Sequence, residues 1–111
     1  ERMNVLVNSD VIKVVPLAYM RGLTFENKIV ILDEAQNALP MQVKMFLTRI
    51  GQGSKYIISG DIEQSDRNGS GNGLEDAVDR LADLKPVAIH SFNYEDIVRH
   101  ELISEILVRY N

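Results

Sequence analysis

The 111-residue chain contains no cysteine, so neither a disulfide framework nor a thiolate metal site can contribute to its stability or its chemistry. His90 and His100 are its only histidines, too few to build a histidine-rich zinc centre. No apolar run approaches the ~20 residues that a bilayer-spanning helix needs, and the first residues lack the charged segment and apolar core of a secretion signal. The expectation is a cytoplasmic protein with no membrane partner. By the same reasoning the match of Asn68-Gly69-Ser70 to a glycosylation acceptor is a coincidence. Positive charge is also in short supply: 12 Lys and Arg stand against 16 Asp and Glu, for a net charge of -4. That balance excludes the broad positive field of a dedicated nucleic-acid binder, so any such contact must be local.

What remains is an ordinary globular composition, 45% hydrophobic and 25% charged, enough apolar material for one core and too short a chain for two. The run Ile29-Val30-Ile31-Leu32 is too uniformly apolar for a strand with one wet face. It stops abruptly at Asp33-Glu34, as a parallel strand buried on both faces does at a functional edge. Pro40 can open a helix at its first position, Val43, Phe46, Leu47 and Ile50 recur at helical spacing, and Gly51 can close it. The order then repeats. Tyr56-Ile57-Ile58 reads as a second buried strand ending at Ser59-Gly60-Asp61, and a polar loop over Asp66 to Gly73 precedes a helical stripe of Leu74, Ala77, Val78 and Leu81. Val87-Ala88-Ile89 reads as a third short strand, and Val98, Leu102, Ile103, Ile106, Leu107 and Tyr110 line one face of a terminal helix. Upstream, the β-branched Val11 to Val15 is a further candidate strand.

Strands alternating with helices imply an α/β fold, a parallel sheet with flanking helices, in which ligands bind beyond the carboxyl ends of the strands. Asp33, Glu34 and Asp61 fall at that edge. An apolar strand ending in Asp-Glu is the Walker B arrangement, in which the aspartate serves Mg²⁺ and the next carboxylate orients the water that attacks a γ-phosphate. Gly60-Asp61 with Gln64 adds, at the end of the neighbouring strand, an amide able to bond both a γ-phosphate oxygen and that water. Read singly, Asp33-Glu34 is also an ordinary acidic helix start and Gln64 an ordinary loop amide; their joint spacing is what favours a site.

Pro16-Leu17-Ala18-Tyr19-Met20-Arg21-Gly22, Ile31-Leu32-Asp33-Glu34-Ala35-Gln36-Asn37, Lys44-Met45-Phe46-Leu47-Thr48-Arg49-Ile50-Gly51, Gly60-Asp61 with Gln64, and Val98-Arg99-His100 together resemble the successive motifs of the PhoH family. That family is similar in turn to the ATPase core of superfamily 1 helicases. The resemblance implies a P-loop NTPase (RecA-like) core, ATP and Mg²⁺ as cofactors, ATP hydrolysis, and a role in RNA metabolism with RNA or single-stranded nucleic acid as partner. Carried over by position, it implies that Asp33 serves the metal, Glu34 the attacking water and Gln64 the γ-phosphate. It further implies that Gln36, Gly60 and Asp61 support that network and that Arg99 is an arginine finger acting within its own subunit or across to a neighbour in a homo-oligomer. Arg21 is assigned to nucleotide binding, with a less defined role.

The chain departs from the family at one point. No Gly-Lys pair exists anywhere in it, so the phosphate-cradling loop is missing, and Gly69-x-Gly71-x-Gly73 lacks both the lysine and a preceding strand, reading instead as a flexible turn. Residues 1–111 are therefore expected to be the C-terminal portion of a PhoH-like ATPase domain, an incomplete core, inactive alone and paired with a chain that supplies the P-loop half. The alternative is a non-catalytic regulatory or assembly module that pairs with intact ATPase subunits. A third reading, a two-metal nuclease built on Asp33, Glu34 and Asp61, requires the three carboxylates to converge.

Overall fold

A computed structural model describes residues 1–64, 71–93, 96 and 98–110. Helix α1 spans Arg2–Asn8, strand β1 Ile29–Leu32, helix α2 Pro40–Leu47, strand β2 Lys55–Ile58, helix α3 Gly73–Leu81 and helix α4 Glu101–Tyr110, with single 3₁₀ turns at Leu17–Tyr19 and Ala35–Asn37. The two strands pair in parallel with Ile29 opposite Lys55 and Leu32 opposite Ile58, and an isolated parallel bridge between Phe25 and Ile50 extends the pairing upstream. Helix α2 forms the crossover between them, a connection long enough to let neighbouring strands run the same way. The fold is α/β, a small parallel sheet with flanking helices.

Local chemistry explains where α2 begins and ends. Pro40 occupies the first turn, where its missing N–H costs nothing. The Gln42 amide oxygen reaches back to accept the Leu39 N–H at 2.8 Å. At the far end the Thr48 hydroxyl donates to the carbonyls of Lys44 and Met45 at 2.9 and 3.0 Å, which satisfies the last turn and ends the helix before Ile50. Ile50 therefore leaves the helical stripe predicted for it and joins the bridge to Phe25 instead. Met20, Ala35, Ala38, Val43 and Phe46 form the buried apolar centre, and the Phe46 ring lies 4.8 Å from that of Tyr56, tilted by 51°. That contact fixes α2 over one face of the sheet.

Four sequence expectations are corrected here. β1 and β2 are not buried on both faces: Val30, Leu32, Tyr56 and Ile58 are half-buried on the side of α2, whereas Ile29, Ile31 and Ile57 are 72, 63 and 42% exposed. A uniformly apolar run marks strands that can be covered twice; only one cover is present among the described residues. Val87-Ala88-Ile89 is not a third strand, since it follows a turn, forms no ladder and is exposed. Val11 to Val15 likewise runs outside any strand, its β-branched residues finding no partner strand. Gly73, read as part of a flexible turn, is the buried first residue of α3. Its N–H donates to the Ala38 carbonyl at 2.8 Å, and an added Cβ would sit 2.6 Å from that oxygen. Gly69 and the rest of the loop from Ser65 to Ser70 lie outside the described residues.

The stripe on α4 exists as predicted from Leu102 to Tyr110, although Val98 precedes the helix. No helix among the described residues is long and apolar enough to cross a membrane.

Candidate active site

The carboxyl ends of β1 and β2 are stitched together beyond the last ladder residues. The Ser59 N–H donates to the Leu32 carbonyl at 2.9 Å, and the Ala35 N–H donates to the Ser59 carbonyl at 3.0 Å. The second bond forces the chain to turn sharply between Leu32 and Ala35. Glu34 absorbs that turn in the left-handed region, with φ of 54°, a conformation that costs a residue with a side chain of order 1 kcal/mol or more. The next three residues close a 3₁₀ turn, which turns Gln36 inward.

Asp33 stands exposed at this edge, with its Oδ1 accepting from the Ser59 hydroxyl at 2.7 Å and from the Glu34 N–H at 2.9 Å. The Ser59 bond first, then the backbone bond, holds its carboxyl below the usual carboxylate range, against a small opposing desolvation. Oδ2 makes no hydrogen bond among the described residues. An ionised carboxylate with one anchored and one free oxygen suits a hard cation held through water. Asp33, Glu34 and Asp61 do not form a three-carboxylate group able to hold a metal among the described residues, so the geometry of a two-metal nuclease is not present.

Gln36 is 1% exposed and links the two strand ends. Its Nε2 donates to Glu34 Oε2 at 2.6 Å, and its Oε1 accepts the Asp61 N–H at 3.0 Å. One buried amide thus ties the second carboxylate of β1 to the backbone that follows β2. Gly60 makes this possible, because a Cβ there would collide with Gln36 Oε1 and press on the Ala35 N–H and Leu74 Cδ2 at 3.0 Å each.

Asp61 then organises the following turn. Its Oδ1 accepts the Glu63 N–H at 3.0 Å and its carbonyl accepts the Gln64 N–H at 3.1 Å, leaving Gln64 exposed at the same edge. Asn72 anchors the loop from the other side: its Nδ2 donates to the Ile62 carbonyl at 2.9 Å while its Oδ1 caps α3 through the Glu75 N–H at 3.0 Å. Sequence reasoning gave neither Ser59 nor Asn72 a role. A serine directly before Gly60-Asp61 and an asparagine before an apolar helical stripe were the available signals.

The structure brings Asp33, Glu34, Gln36, Gly60, Asp61 and Gln64 to one edge. Two predicted residues share no hydrogen bond or ion pair with it among the described residues. Arg21 lines a separate pocket with Met41, Lys44, Met45, Thr48 and Arg49, to which no residue of the acidic edge contributes. Arg99 is exposed ahead of α4 and makes no hydrogen bond or ion pair among the described residues.

The family model for PhoH-like proteins matches residues 1–111. The chain is 48% identical over 106 residues to a PhoH-like protein of Mycobacterium tuberculosis, covering 95% of this chain and 30% of that protein. It is 45% identical over 107 residues to a PhoH-like protein of Bacillus subtilis, covering 96% and 34%, and 48% identical over 101 residues to Protein PhoH of Escherichia coli, covering 90% and 28%. The chain therefore spans about a third of the length of the curated relatives it matches.

Proposed function

Because the chain belongs to the PhoH family, we propose that it carries the hydrolytic edge of a RecA-like ATPase whose triphosphate cradle is supplied by residues outside these 111. The observation that carries the reading is the buried Gln36 bridge between the Glu34 carboxylate and the Asp61 backbone. A surface acid pair needs no such support, whereas a carboxylate that must aim a water molecule has to be held in one orientation.

In this reading Asp33, tethered by Ser59 and held below the usual carboxylate range, would hold Mg²⁺, which would supply charge neutralisation at the phosphates of the nucleotide. Glu34 accepts a proton from the attacking water, Gln36 fixes the direction in which it does so, and Gln64 on the turn set by Asp61 faces the terminal phosphate. Gly60 keeps the two strand ends close enough for the amide bridge. Arg99, exposed and unpaired among the described residues, is free to reach a phosphate held across a subunit boundary in a homo-oligomer. A cytoplasmic setting belongs to the same proposal.

The test uses the complete polypeptide that contains a P-loop, with Glu34→Gln as the perturbation. Phosphate release falls by about 10²-fold or more while nucleotide affinity is retained. The 111-residue chain, titrated calorimetrically with MgATP, binds weakly or not at all, because the backbone amides and lysine that supply most triphosphate affinity are missing. Hydrolysis at the parent rate with Gln at position 34 would overturn the reading. Tight binding of MgATP to this chain would move the cradle into it.

A further inference from the structure

Beyond β2 the chain makes its turn in the open. Asp61, Ile62, Glu63 and Gln64 are all exposed, so apolar packing does little to fix where the turn lies and its place depends on hydrogen bonds. Two of these are internal, from the Glu63 and Gln64 N–H groups to Asp61, and they shape the turn without attaching it to anything. Two others attach it among the described residues. Gln36 accepts the Asp61 N–H at 3.0 Å, and Asn72 donates to the Ile62 carbonyl at 2.9 Å. The Asn72 attachment is the nearer to Gln64.

Asn72 is itself firmly seated. It is the N-cap of α3, whose first residue, Gly73, donates to the Ala38 carbonyl at 2.8 Å and has no room for a side chain, since a Cβ there would fall 2.6 Å from Val43 Cγ2. Leu74 lies against Gly60, where a Cβ would come 3.0 Å from Leu74 Cδ2. The first turn of α3 is therefore fixed to the segment after the 3₁₀ turn that holds Gln36 and to the residue just before Asp61. Capping alone does not explain the choice of asparagine. An N-cap needs only an oxygen acceptor, which Ser, Thr or Asp supplies as well. Asn adds a side-chain N–H group, and that group is the one that reaches the turn. One side chain thus caps the helix through Oδ1 and grips the turn through Nδ2.

We infer that Asn72 is a positioning residue for Gln64, fixing the turn that presents the Gln64 amide at the acidic edge. The inference rests on the hydrolytic reading of that edge. Asn72 acts through the turn and touches no reacting atom, so it influences the rate only as far as Gln64 does. A cap that served α3 alone could be exchanged for serine with no consequence at Gln64.

The test uses the complete polypeptide that contains a P-loop. Asn72→Asp and Asn72→Ser both keep an oxygen for the Glu75 N–H and remove the donor to Ile62; the serine variant, being neutral, separates that loss from the added charge. Melting temperatures stay within about 3 °C of the parent, because the cap is retained. The peptide that holds Glu63 and Gln64 exchanges its amide hydrogens about threefold to tenfold faster. The kcat for phosphate release falls by about threefold to tenfold, while KM for ATP changes by less than about twofold. Asn72→Ser combined with Gln64→Ala is no slower than Gln64→Ala alone. Two effects that multiply would assign Asn72 to the helix cap and overturn the inference, as would parental exchange at Glu63 and Gln64 in both variants. If Gln64→Ala leaves phosphate release unchanged, the role given to Gln64 in the hydrolytic reading falls, and amide exchange alone decides: faster exchange upholds the positioning of the turn, and parental exchange overturns it.

Discussion

Replacing Gln36 by leucine isolates the amide bridge at nearly constant volume. Among the bonds the substitution removes are, first, the neutral one from the Asp61 N–H and, second, the one from Nε2 to the Glu34 carboxylate. The first is worth about 1 kcal/mol and the second about 1.5–3, and the Asp61 N–H is left without its acceptor in a part-buried place. Because the Glu34 carboxylate stays in reach of water, the lower end applies, for a loss of about 2–3 kcal/mol against a typical total of about 5–15. For a domain of this size that lowers Tm by roughly 10–20 °C, read by far-UV circular dichroism on heating. Gln36→Glu separates the bridge from packing, since it keeps an acceptor for Asp61 and places a second carboxylate against Glu34. Two carboxylates this close repel while both are ionised, so Gln36→Glu is costliest at neutral pH and gains on the parent as pH falls. A leucine variant melting within about 0.5 kcal/mol of the parent would refute the bridge as a structural tie.

Asp33 has the opposite sign. Its folded pKa lies below the unfolded one, so its contribution is complete above the unfolded value and is lost as pH falls through the folded one. Ser59→Ala, which removes the larger cause, moves its carboxyl titration upward by NMR; an unmoved midpoint contradicts the assignment of cause. Gly60→Ala forces a Cβ against the Gln36 amide oxygen and the Ala35 N–H and lowers stability by about 1–3 kcal/mol in denaturant titration. Tyr56→Phe removes a buried hydroxyl that has no partner among the described residues while keeping the ring on Phe46, so it leaves stability unchanged or raises it by up to about 1 kcal/mol; a clear loss reveals a partner for the hydroxyl.

Elements with local signals are legible in the sequence. The apolar run and acidic stop mark β1 residue for residue, the second apolar run marks β2 to within one residue, and Pro40 marks the start of α2. The misreadings concern partners. Val87-Ala88-Ile89 has the residues of a strand and no strand beside it, and the exposed faces of Ile29, Ile31 and Ile57 depend on what covers the sheet, which no periodicity encodes. Within the site, the acids at the strand ends are legible because type and position coincide there. The tether from Ser59 and the left-handed Glu34 are not, since both follow from where two distant segments meet. Arg21 stands out by its motif, which assigns it to nucleotide binding, while its neighbours in space, Lys44 and Arg49, lie two elements away in sequence.

The uncovered isoleucines also govern how the chain behaves among its own kind. At neutral pH each molecule carries a net charge of -4, and mutual repulsion keeps the apolar faces of Ile29, Ile31 and Ile57 apart. That repulsion vanishes close to pH 5.1 while the faces remain. Colloidal stability should therefore be poorest in mildly acidic buffer and improve on either side of it, with turbidity tracking charge rather than unfolding.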